Sequence, residues 1–447
     1  MKFKKPHRFF SFVDLRPVMN YQQTIEYLFT RLPMFSRIGA NAIKKDITNT
    51  VHLCESLGNP HEKFKTVHIA GTNGKGSVSH MLAAILQTAG YKTGLYTSPH
   101  LKDFRERIRI NGKMIPQEVV VAFVQKMQPD IEELNPSFFE ITVAMAFDFF
   151  AREKVDIAIV EVGLGGRLDS TNIVTPELSI ITNIGWDHMN VLGDSLEKIA
   201  FEKAGIIKRQ IPVIVGESSS ITKSVFEKVS EENKAAIVFA DQIRYVSSWD
   251  YEKTHLSVEI ENRVKGERYV YSLDLTGYYQ TKNLITVLEA VTILRTKDWR
   301  ISQAHVAKAL QHVRKLTGLH GRWEVIHQHP TIVLDVGHNQ DGVKQIVAQI
   351  ELTDYHDLHI IIGMVKDKDV ENILSLLPKE ANYYFTRANI PRAIPENELY
   401  ERGKKAGLEG THHPNVNTAL QVARKKASKD DLIVVCGSVF VVGEVEG

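Results

Sequence analysis

Residues 68–77 read HIAGTNGKGS, and this stretch decides how the surrounding chain folds. Residues 66–70 are rich in strand formers, and residues 78–87, beyond the glycines, follow a helical pattern of apolar positions. A glycine-rich turn between a strand and a helix points backbone N–H groups at a phosphate, while a lysine neutralises its charge and a hydroxyl reaches Mg²⁺. The sequence therefore predicts a nucleotide phosphate loop of seven residues: Gly71, Thr72, Asn73, Gly74, Lys75, Gly76 and Ser77.

This loop departs from the common phosphate-loop pattern in two places. Ile69 occupies the position of the first glycine, and Gly76 separates Lys75 from Ser77. An ordinary glycine-rich turn is the alternative interpretation, but a lysine between two glycines and before a serine favours phosphate binding. We therefore expect Lys75 to contact the β- and γ-phosphates of a nucleotide and Ser77 to join the coordination of Mg²⁺.

Composition limits the class of protein. The chain has 447 residues, of which 43% are apolar and 24% are charged, which is typical of a globular protein of two domains. Its 55 basic and 53 acidic side chains predict neither a nucleic-acid partner nor an anionic membrane. No apolar run approaches the roughly 18 residues of a membrane span, and residues 1–16 lack a signal-peptide core. The distant Cys54 and Cys436 indicate a reducing compartment, so we expect a cytoplasmic protein.

Short apolar runs alternate with helical patterns after the loop, and this alternation predicts a doubly wound parallel sheet. The predicted strands cover residues 92–96, 155–161, 179–183 and 212–216, and the predicted helices cover 116–127, 138–150 and 195–206. Ligands of such sheets gather at the carboxyl ends of the strands. Four residues fall at those ends: Gly71, Ser98, Glu161 and Asp187.

The pattern changes near residue 240. Residues 255–260 and 269–275 predict two antiparallel strands that close the first domain, and residues 283–295 and 303–313 predict helices. A second series of strands and helices begins at Trp323, with strands predicted at 332–336, 358–363, 382–385 and 432–435. The polar segment 312–322 is the predicted connector.

We therefore predict an α/β protein of two domains. Residues 1–315 would form an N-terminal ATPase domain, with a parallel sheet, the phosphate loop and a small antiparallel β extension. Residues 316–447 would form a C-terminal Rossmann-like α/β domain. Because each domain has its own sheet, we expect the functional site between them.

Several further segments carry a family resemblance. The segment LYTSPHLKDFRERIRING at 95–112, together with the phosphate loop, resembles the folylpolyglutamate synthase and dihydrofolate synthase family, a branch of the ATP-dependent Mur-type amide ligases. Other segments follow in the order of that family: VEVGLGGRLDSTN at 160–172, WDH at 186–188, FEKAGIIK at 201–208, YQTKN at 279–283, GRWE at 321–324, DVGHN at 335–339, KDKD at 366–369 and CGSVFVVGEV at 436–445. The resemblance spans nearly the whole chain.

The resemblance implies a ligase that uses ATP to join L-glutamate to the carboxylate of a folate through an acyl phosphate, and that also converts dihydropteroate to dihydrofolate. Such chemistry needs a phosphate cradle, Mg²⁺, charge that offsets the phosphoryl transition state, and exclusion of water. The expected cofactors are ATP and Mg²⁺, and the expected partners are small molecules, a folate or dihydropteroate and L-glutamate. We expect a monomer, which the absence of an obvious coiled coil or swapped arm in the sequence permits.

The resemblance also implies a metal site. Ser98, Glu161 and His188 match Mg²⁺ ligands of the family, beside Ser77 of the loop. Taken alone, a glutamate after a strand is usually a solvated end and a lone histidine is usually structural, and imidazole is an unusual ligand for Mg²⁺. Lys203 lies in a predicted helix, where a solvated charge is the ordinary interpretation, but the resemblance implies a lysine carbamylated by CO₂.

Other site residues implied by the resemblance lie towards the second domain. Asn283 and Arg322 would contact ATP, Asp335 would lie near the nucleotide, and His338 and Ser438 would bind the incoming glutamate, with Lys75, Lys203, Asp335 and His338 as the catalytic set. Arg322 alternatively serves in a hinge salt bridge. The segment DVGHN differs from the family's usual DGAHN, which affects the loop shape more than the register of Asp335 and His338.

Arginines alternate with other residues in RERIRI, which predicts a strand with Arg105, Arg107 and Arg109 on one face. The alternatives are a solvated, charged strand edge and a cationic rail for the glutamate tail of a folate. Only Arg107, within the ERI motif, is assigned to substrate binding.

Two competing functions remain at this point. A Mur-type ligase that acts on a nucleotide-linked cell-wall precursor would share the ATP and metal residues, but TSPHL and ERIRING argue against it. A non-catalytic nucleotide switch would need neither a carboxylate-activating metal site nor a second α/β domain. Glu161, His188 and Lys203 together count against such a switch.

Overall fold

The computed structural model describes residues 19–42, 44, 46–252 and 254–446. The predicted lack of a signal peptide at 1–16 therefore falls outside the described residues. The described chain forms two α/β domains, each with its own sheet, which confirms the predicted fold class. None of the described helices combines the length and the apolar character that crossing a membrane requires.

The first domain is built on an eight-stranded sheet in the order β4-β3-β2-β5-β1-β6-β7-β8. Its strands are β1 (Lys65–Ala70), β2 (Thr93–Tyr96), β3 (Ile108–Ile110), β4 (Lys113–Met114), β5 (Ile157–Glu161), β6 (Leu178–Ile181), β7 (Val213–Val215) and β8 (Ile237–Phe239). The six strands from β2 to β8 in this order are parallel, whereas β3 and β4 are antiparallel additions at one edge.

Helices cover both faces of this sheet. They are α1 (Tyr21–Arg31), α2 (Phe35–Ile38), α3 (Thr48–Ser56), α4 (Lys75–Thr88), α5 (Gln117–Leu134), α6 (Phe138–Arg152), α7 (Met189–Leu192), α8 (Leu196–Ala204), α9 (Ser220–Glu232), α10 (Ala240–Ile243), α11 (Gln280–Thr296), α12 (Gln303–Leu310) and α13 (Val313–Thr317). Helix α4 packs on one face with α11, and α5 and α6 pack on the other. The central strands are therefore buried on both sides, which is why they read as continuous apolar runs.

A small antiparallel sheet closes the first domain with three strands, where two were predicted. It consists of β9 (Arg244–Glu252), β10 (His255–Asn262) and β11 (Arg268–Leu273), in the order β11-β10-β9. The strand missed from the sequence, β9, is mostly half-buried or exposed, so its apolar periodicity is weak. The predicted connector 312–322 begins with helix α13, which packs against α4, and the domain boundary at 315/316 stays a prediction.

The second domain contains a six-stranded sheet in the order β12-β13-β17-β14-β15-β16, parallel except for β12. Its strands are β12 (Glu324–Gln328), β13 (Thr331–Leu334), β14 (Leu358–Ile362), β15 (Asn382–Phe385), β16 (Gly410–His412) and β17 (Leu432–Cys436). Its helices are α14 (Gln340–Glu351), α15 (Val370–Leu376), α16 (Glu396–Lys405), α17 (Val416–Lys426) and α18 (Val439–Gly443). The sequence missed the edge strands β12 and β16, whose side chains are mainly exposed.

The predicted arginine face of RERIRI is wrong. Asp103 and Glu106 form a capping box that starts a 3₁₀ turn over Phe104–Arg107, so the chain turns before it enters β3. Arg105 and Arg107 therefore lie in the turn, and of the three arginines only Arg109 lies in the strand. Local capping has overridden an alternation that otherwise suits a strand.

The small sheet offers a test of which face is buried. Val258 in β10 is fully buried in the core of the first domain, whereas Val270 in β11 is 64% exposed. Val258→Ala should lower the free energy of unfolding by about 2 kcal/mol, because two buried methyl groups are removed. Val270→Ala, the matched control, should change it by less than about 0.5 kcal/mol. Urea unfolding of both variants, followed by circular dichroism, measures the difference; equal effects would contradict the packing described.

Candidate active site

The phosphate loop connects β1, at the centre of the first sheet, to α4. Gly71 and Gly74 adopt φ values of +148° and +82°, which favour glycine. A Cβ atom at Gly71 would lie 1.9 Å from Thr182 Oγ1, and one at Gly74 would lie 2.3 Å from Asn283 Oδ1. The backbone at these two positions is therefore packed closely against neighbouring side chains, and Asn283 lies directly against the loop.

Two buried amines converge on this loop. Lys75 Nζ donates hydrogen bonds to the carbonyl oxygens of Gly71 and Thr72, both at 3.0 Å, and Lys203 Nζ, from α8, donates to Gly71 O at 2.8 Å. Burial, followed by the nearby charge of Lys75, lowers the pKa of Lys203 to about 7. Burial also lowers the pKa of Lys75, although Glu161 and Asp187 oppose that shift.

Glu161 is the carboxylate at the end of β5, and it is only 4% exposed. Its Oε2 accepts a hydrogen bond from the backbone N–H of Ser98 at 3.2 Å. Burial raises its pKa, opposed mainly by the charge of Lys75, and the ion pairs of the described residues do not include it. A buried carboxylate without a close cationic partner fits a site for a metal cation.

The other predicted metal ligands lie at the same rim of the sheet. Ser77 Oγ, at the start of α4, accepts a hydrogen bond from Gln280 Nε2 at 3.1 Å. His188 precedes α7, and its Nε2 lies 3.8 Å from Asp187 Oδ2. Burial and the charge of Lys368 lower the pKa of His188 to about 3, so the imidazole is neutral near pH 7 and able to act as a ligand.

Asp187 connects the two domains at this point. Its Oδ2 accepts a hydrogen bond from Asn339 Nδ2 at 3.2 Å and lies 3.6 Å from His338 Nε2, while its Oδ1 accepts one from Lys368 Nζ. Burial pushes the pKa of Asp187 up, but the hydrogen bond from His338 and the charge of Lys368 outweigh burial and hold the pKa well below its usual range.

A second contact joins the phosphate loop itself to the C-terminal domain. The side-chain amides of Asn73 and Asn339 exchange hydrogen bonds at 3.0 and 3.2 Å. From the sequence, Asp187 was expected at the rim of the sheet, but no role was predicted for Asp187, Asn339 or Lys368. The motifs WDH, DVGHN and KDKD contained them, yet nothing in a linear sequence shows that these three segments meet.

Asp335 holds the start of the second domain in place. It is buried, and it accepts hydrogen bonds from Tyr279 Oη at 2.6 Å and from the backbone N–H groups of Trp323 at 2.9 Å and Gly337 at 2.8 Å. Because His338 Nδ1 donates to the carbonyl of Val336 at 2.9 Å, the imidazole is held with Nε2 towards Asp187. The change from DGAHN to DVGHN therefore leaves both side chains anchored.

Arg322 lies over the start of α4. Its Nη2 is 3.3 Å from the position of a Cβ at Gly76, and its Nη1 donates to Gly321 O at 3.1 Å. The alternative of a hinge salt bridge finds no support, since the ion pairs among the described residues do not include Arg322. Ser438 is buried and caps α18 by accepting from the N–H of Phe440 at 3.2 Å.

A cavity of about 510 Å³ lies between the domains. Most predicted site residues line it: Thr72, Asn73, Gly74, Lys75, Gly76, Ser77, Ser98, Glu161, Asn283, Arg322, Asp335 and His338. Five of the predicted residues are not in its lining: Gly71, Arg107, His188, Lys203 and Ser438. Arg107 is buried, and its Nε donates to His100 Nδ1 at 2.8 Å. The volume is in the range of small-molecule sites.

A phosphate loop on a parallel sheet that faces a second α/β domain across a cleft is the arrangement expected of a Mur-type ligase. Two family models match the chain, the Mur ligase middle domain over residues 69–291 and the Mur ligase, glutamate ligase domain over residues 321–439. The chain is 31% identical over 438 residues to a dihydrofolate synthase/folylpolyglutamate synthase of Bacillus subtilis. The alignment covers 95% of this chain and 98% of the relative. The chain belongs to the folylpolyglutamate synthase and dihydrofolate synthase family.

Solved structures agree with this assignment. Escherichia coli FolC in complex with DHPP and ADP superposes with a TM-score of 0.81 at 26% identity, covering 95% of this chain and 96% of that chain. A Mycobacterium tuberculosis folylpolyglutamate synthase complexed with ADP and AMPPCP gives 0.83 at 28% identity, covering 95% and 97%. The chain is an ATP-dependent ligase of this family, and the cell-wall alternative is not favoured.

One relative is much longer than this chain. A probable bifunctional folylpolyglutamate synthase/dihydropteroate synthase of Haloferax volcanii is 32% identical over 439 residues. The match covers 95% of this chain but only 50% of that protein. The chain therefore spans about half the length of this relative, and the remaining half has no counterpart in the alignment.

The contact between Lys368 and Asp187 gives a prediction about domain closure. Lys368→Met should leave Asp187 short of a buried cationic partner and loosen the interface. Lys366→Met, in the same KDKD motif but exposed, is the matched control. Hydrogen–deuterium exchange measures the outcome, with faster exchange expected in peptides covering 71–77 and 337–342 for the Lys368 variant alone. Unchanged exchange in both variants would show that this ion pair does not hold the domains together.

Proposed function

We propose that this chain joins L-glutamate to the carboxylate of a folate at the cavity between its domains. The observation that carries the proposal is the convergence of three features there: the phosphate loop, the buried Glu161 carboxylate, which has no ion-pair partner among the described residues, and His338 of the second domain. The names of the relatives support folate substrates, and the FolC neighbour in complex with DHPP and ADP supports a nucleotide site in the same fold.

The chemistry follows from the poor leaving-group ability of a carboxylate oxygen. Transfer of the γ-phosphoryl group of ATP to that oxygen gives an acyl phosphate and ADP. The amine of glutamate then attacks the acyl carbon. The bond between that carbon and the phosphate oxygen breaks, and phosphate leaves with the electron pair. The nitrogen loses a proton, and an amide remains. Closure of the second domain over the loop would protect the acyl phosphate from water.

The residues of the chain take separate roles in this scheme. Lys75 neutralises charge on the transferred phosphoryl group after leaving the carbonyls of Gly71 and Thr72, and Asn283 and Arg322 hold the nucleotide. Ser77, Ser98, Glu161 and His188 would hold Mg²⁺, which supplies positive charge to the phosphates when it is bound. Asp335 holds the start of the second domain near the nucleotide, and His338 and Ser438 receive glutamate. Arg107, which does not line the cavity, is assigned to the folate by the family resemblance alone.

Lys203 is proposed to carry a carbamate. CO₂ reacts with a neutral amine, and a lysine with a pKa of about 7 is about half neutral at pH 7, against less than roughly one part in a thousand for an unperturbed lysine. Carbamylation would convert a buried cation near Lys75 into an anion, and so remove a like-charge repulsion beside the loop. The modified residue would then contribute a carboxylate near the metal site.

We further propose that the chain performs both reactions of its family. One acceptor is the carboxylate of dihydropteroate and the other is the terminal glutamate of a folate, and a single ATP and metal site serves both if each carboxylate reaches the same γ-phosphate. Two incubations test the function: ATP, Mg²⁺ and L-glutamate with either dihydropteroate or tetrahydrofolate. Dihydrofolate and a lengthened folate are the expected products. If only tetrahydrofolate were extended, the chain would lack the activity on dihydropteroate. If glutamate were ligated to neither acceptor, the proposal would be overturned.

Lys75→Ala tests the phosphate loop. Phosphate release should fall by at least about a hundredfold, because the charge that stabilises phosphoryl transfer is lost while the loop glycines remain. The exposed Lys63→Ala, in the same domain, should retain activity. Circular dichroism should show both variants folded. Wild-type phosphate release in a folded Lys75→Ala protein would end the phosphate-loop assignment.

Lys203 can be tested without measuring turnover. The protein equilibrated with ¹³C-bicarbonate should show a carbamate signal by ¹³C NMR that is absent from Lys203→Met. Lys198→Met is the matched control on the same helix, since Lys198 is exposed and paired with Asp194. Its spectrum should keep the signal. Absence of the carbamate signal from the wild-type spectrum, or its persistence in the spectrum of Lys203→Met, would exclude modification at this position.

A further inference from the structure

Arg109 is a buried guanidinium without an acidic partner in the described part of the chain. The residue is 8% exposed, and its Nη1 donates a hydrogen bond to the carbonyl oxygen of Gly112 at 3.1 Å. Its Nε is buried and makes no hydrogen bond, and the ion pairs of the described residues do not include Arg109. A buried charge is normally paired, so Arg109 retains donors for an anion that the described residues do not supply.

The carboxylates closest in the chain are already engaged. Glu106 accepts hydrogen bonds from the backbone N–H groups of Leu101, Lys102 and Asp103 at 2.7, 3.2 and 3.0 Å. Asp103 forms an ion pair with Arg105 at 2.7 Å. Neither acid approaches Arg109 within ion-pair distance, so both serve the capping turn before β3.

Arg109 lines the cavity on the side of the interdomain segment. Gly318 packs against the guanidinium, since a Cβ there would lie 2.9 Å from Nη1. His80 also lines the cavity, one helical turn beyond Gly76 on α4, and its Nδ1 is 2.8 Å from Thr317 Oγ1. Arg109 therefore lies past the phosphate loop and next to the segment that leads into the second domain.

Arg109 is not the sole source of positive charge near His80, because Arg322 also contributes. Burial, followed by the charges of Arg109 and Arg322, lowers the pKa of His80 well below its usual value. The imidazole is therefore neutral near pH 7, and the two arginines supply the positive potential. Three apolar side chains also line the cavity: Leu101, Leu319 and Val439.

The three arginines of RERIRI thus differ in whether their guanidinium groups keep hydrogen-bond donors available for a ligand. Arg105 is paired with Asp103, and Arg107 donates to His100 and lies against the Phe138 ring, 5.2 Å from its centroid. Only Arg109, of these three, both lines the cavity and has a buried donor without a partner. It is therefore the member of the motif best placed to bind a ligand.

We propose that Arg109 binds a carboxylate of the glutamate-containing substrate. A guanidinium fork matches a carboxylate, and the apolar lining suits the methylene groups of a glutamyl side chain. The phosphates of the nucleotide are accounted for by the loop itself. The carboxylate belongs either to the incoming L-glutamate or to a glutamyl residue already on the folate, and the inference rests on the proposed glutamate ligation.

Steady-state kinetics at saturating ATP tests this role. Arg109→Gln should raise the KM for L-glutamate, or for a triglutamyl folate relative to a monoglutamyl folate, by about tenfold or more. The KM for ATP should stay within about twofold. Arg105→Gln, the matched control in the same motif, should behave as the wild type. A rise confined to glutamate identifies the incoming amino acid, and a rise confined to the triglutamyl folate identifies the tail.

Two results would overturn the assignment of Arg109. One is an unchanged KM for glutamate and for both folates in a folded variant. The other is an equal rise in the KM values of all substrates together with a lowered melting temperature, which would indicate that Arg109 only stabilises the packing of β3 against Gly318. If Arg109→Gln does not fold, the ratio of KM values in Arg109→Lys, which keeps the charge but not the fork, decides by the same criteria. A wild-type chain that ligates no glutamate would instead refute the proposed function.

Discussion

The shared carboxylate of Asp187 is the interaction on which the site depends. It belongs to the first domain, yet its hydrogen-bonding partners Asn339 and Lys368, and the adjacent His338, belong to the second. Removing one partner of such a buried set typically costs about 3–5 kcal/mol, because the remaining charge stays buried. The same contact places the DVGHN segment over the phosphate loop, so the packing of the second domain on the first assembles the active site.

Buried charge near the loop explains why ligands should complete this structure. Lys75 and Lys203 share the carbonyl oxygen of Gly71, while Glu161 and Arg109 lack ion-pair partners among the described residues. In a protein interior each of these groups is costly unless an opposite charge arrives. Phosphates, a divalent cation and a substrate carboxylate are ligands of matching charge, and the cavity is continuous between the loop, Glu161 and Arg109.

The sequence was most informative where burial is two-sided or where a motif is contiguous. Strand β5 was recognised because helices cover both its faces, and the loop because its glycines and lysine lie in one run. The edge strands β9 and β16 were missed because exposed side chains carry little apolar periodicity. The strand predicted over RERIRI was partly wrong because a capping box at Asp103 and Glu106 outweighed the alternation of residue types. The role of Asp187 could not be predicted because its partners are about 150 to 180 residues away in the sequence.

The central claim is that ATP activates the carboxylate of the acceptor in this cavity. The most direct measurement is oxygen transfer from a folate labelled with ¹⁸O in its terminal carboxylate, incubated with ATP, Mg²⁺ and L-glutamate. An acyl phosphate requires that one labelled oxygen leave with the phosphate, so mass spectrometry should find ¹⁸O in the released phosphate in proportion to the amide formed. Amide formation accompanied by unlabelled phosphate would contradict the account.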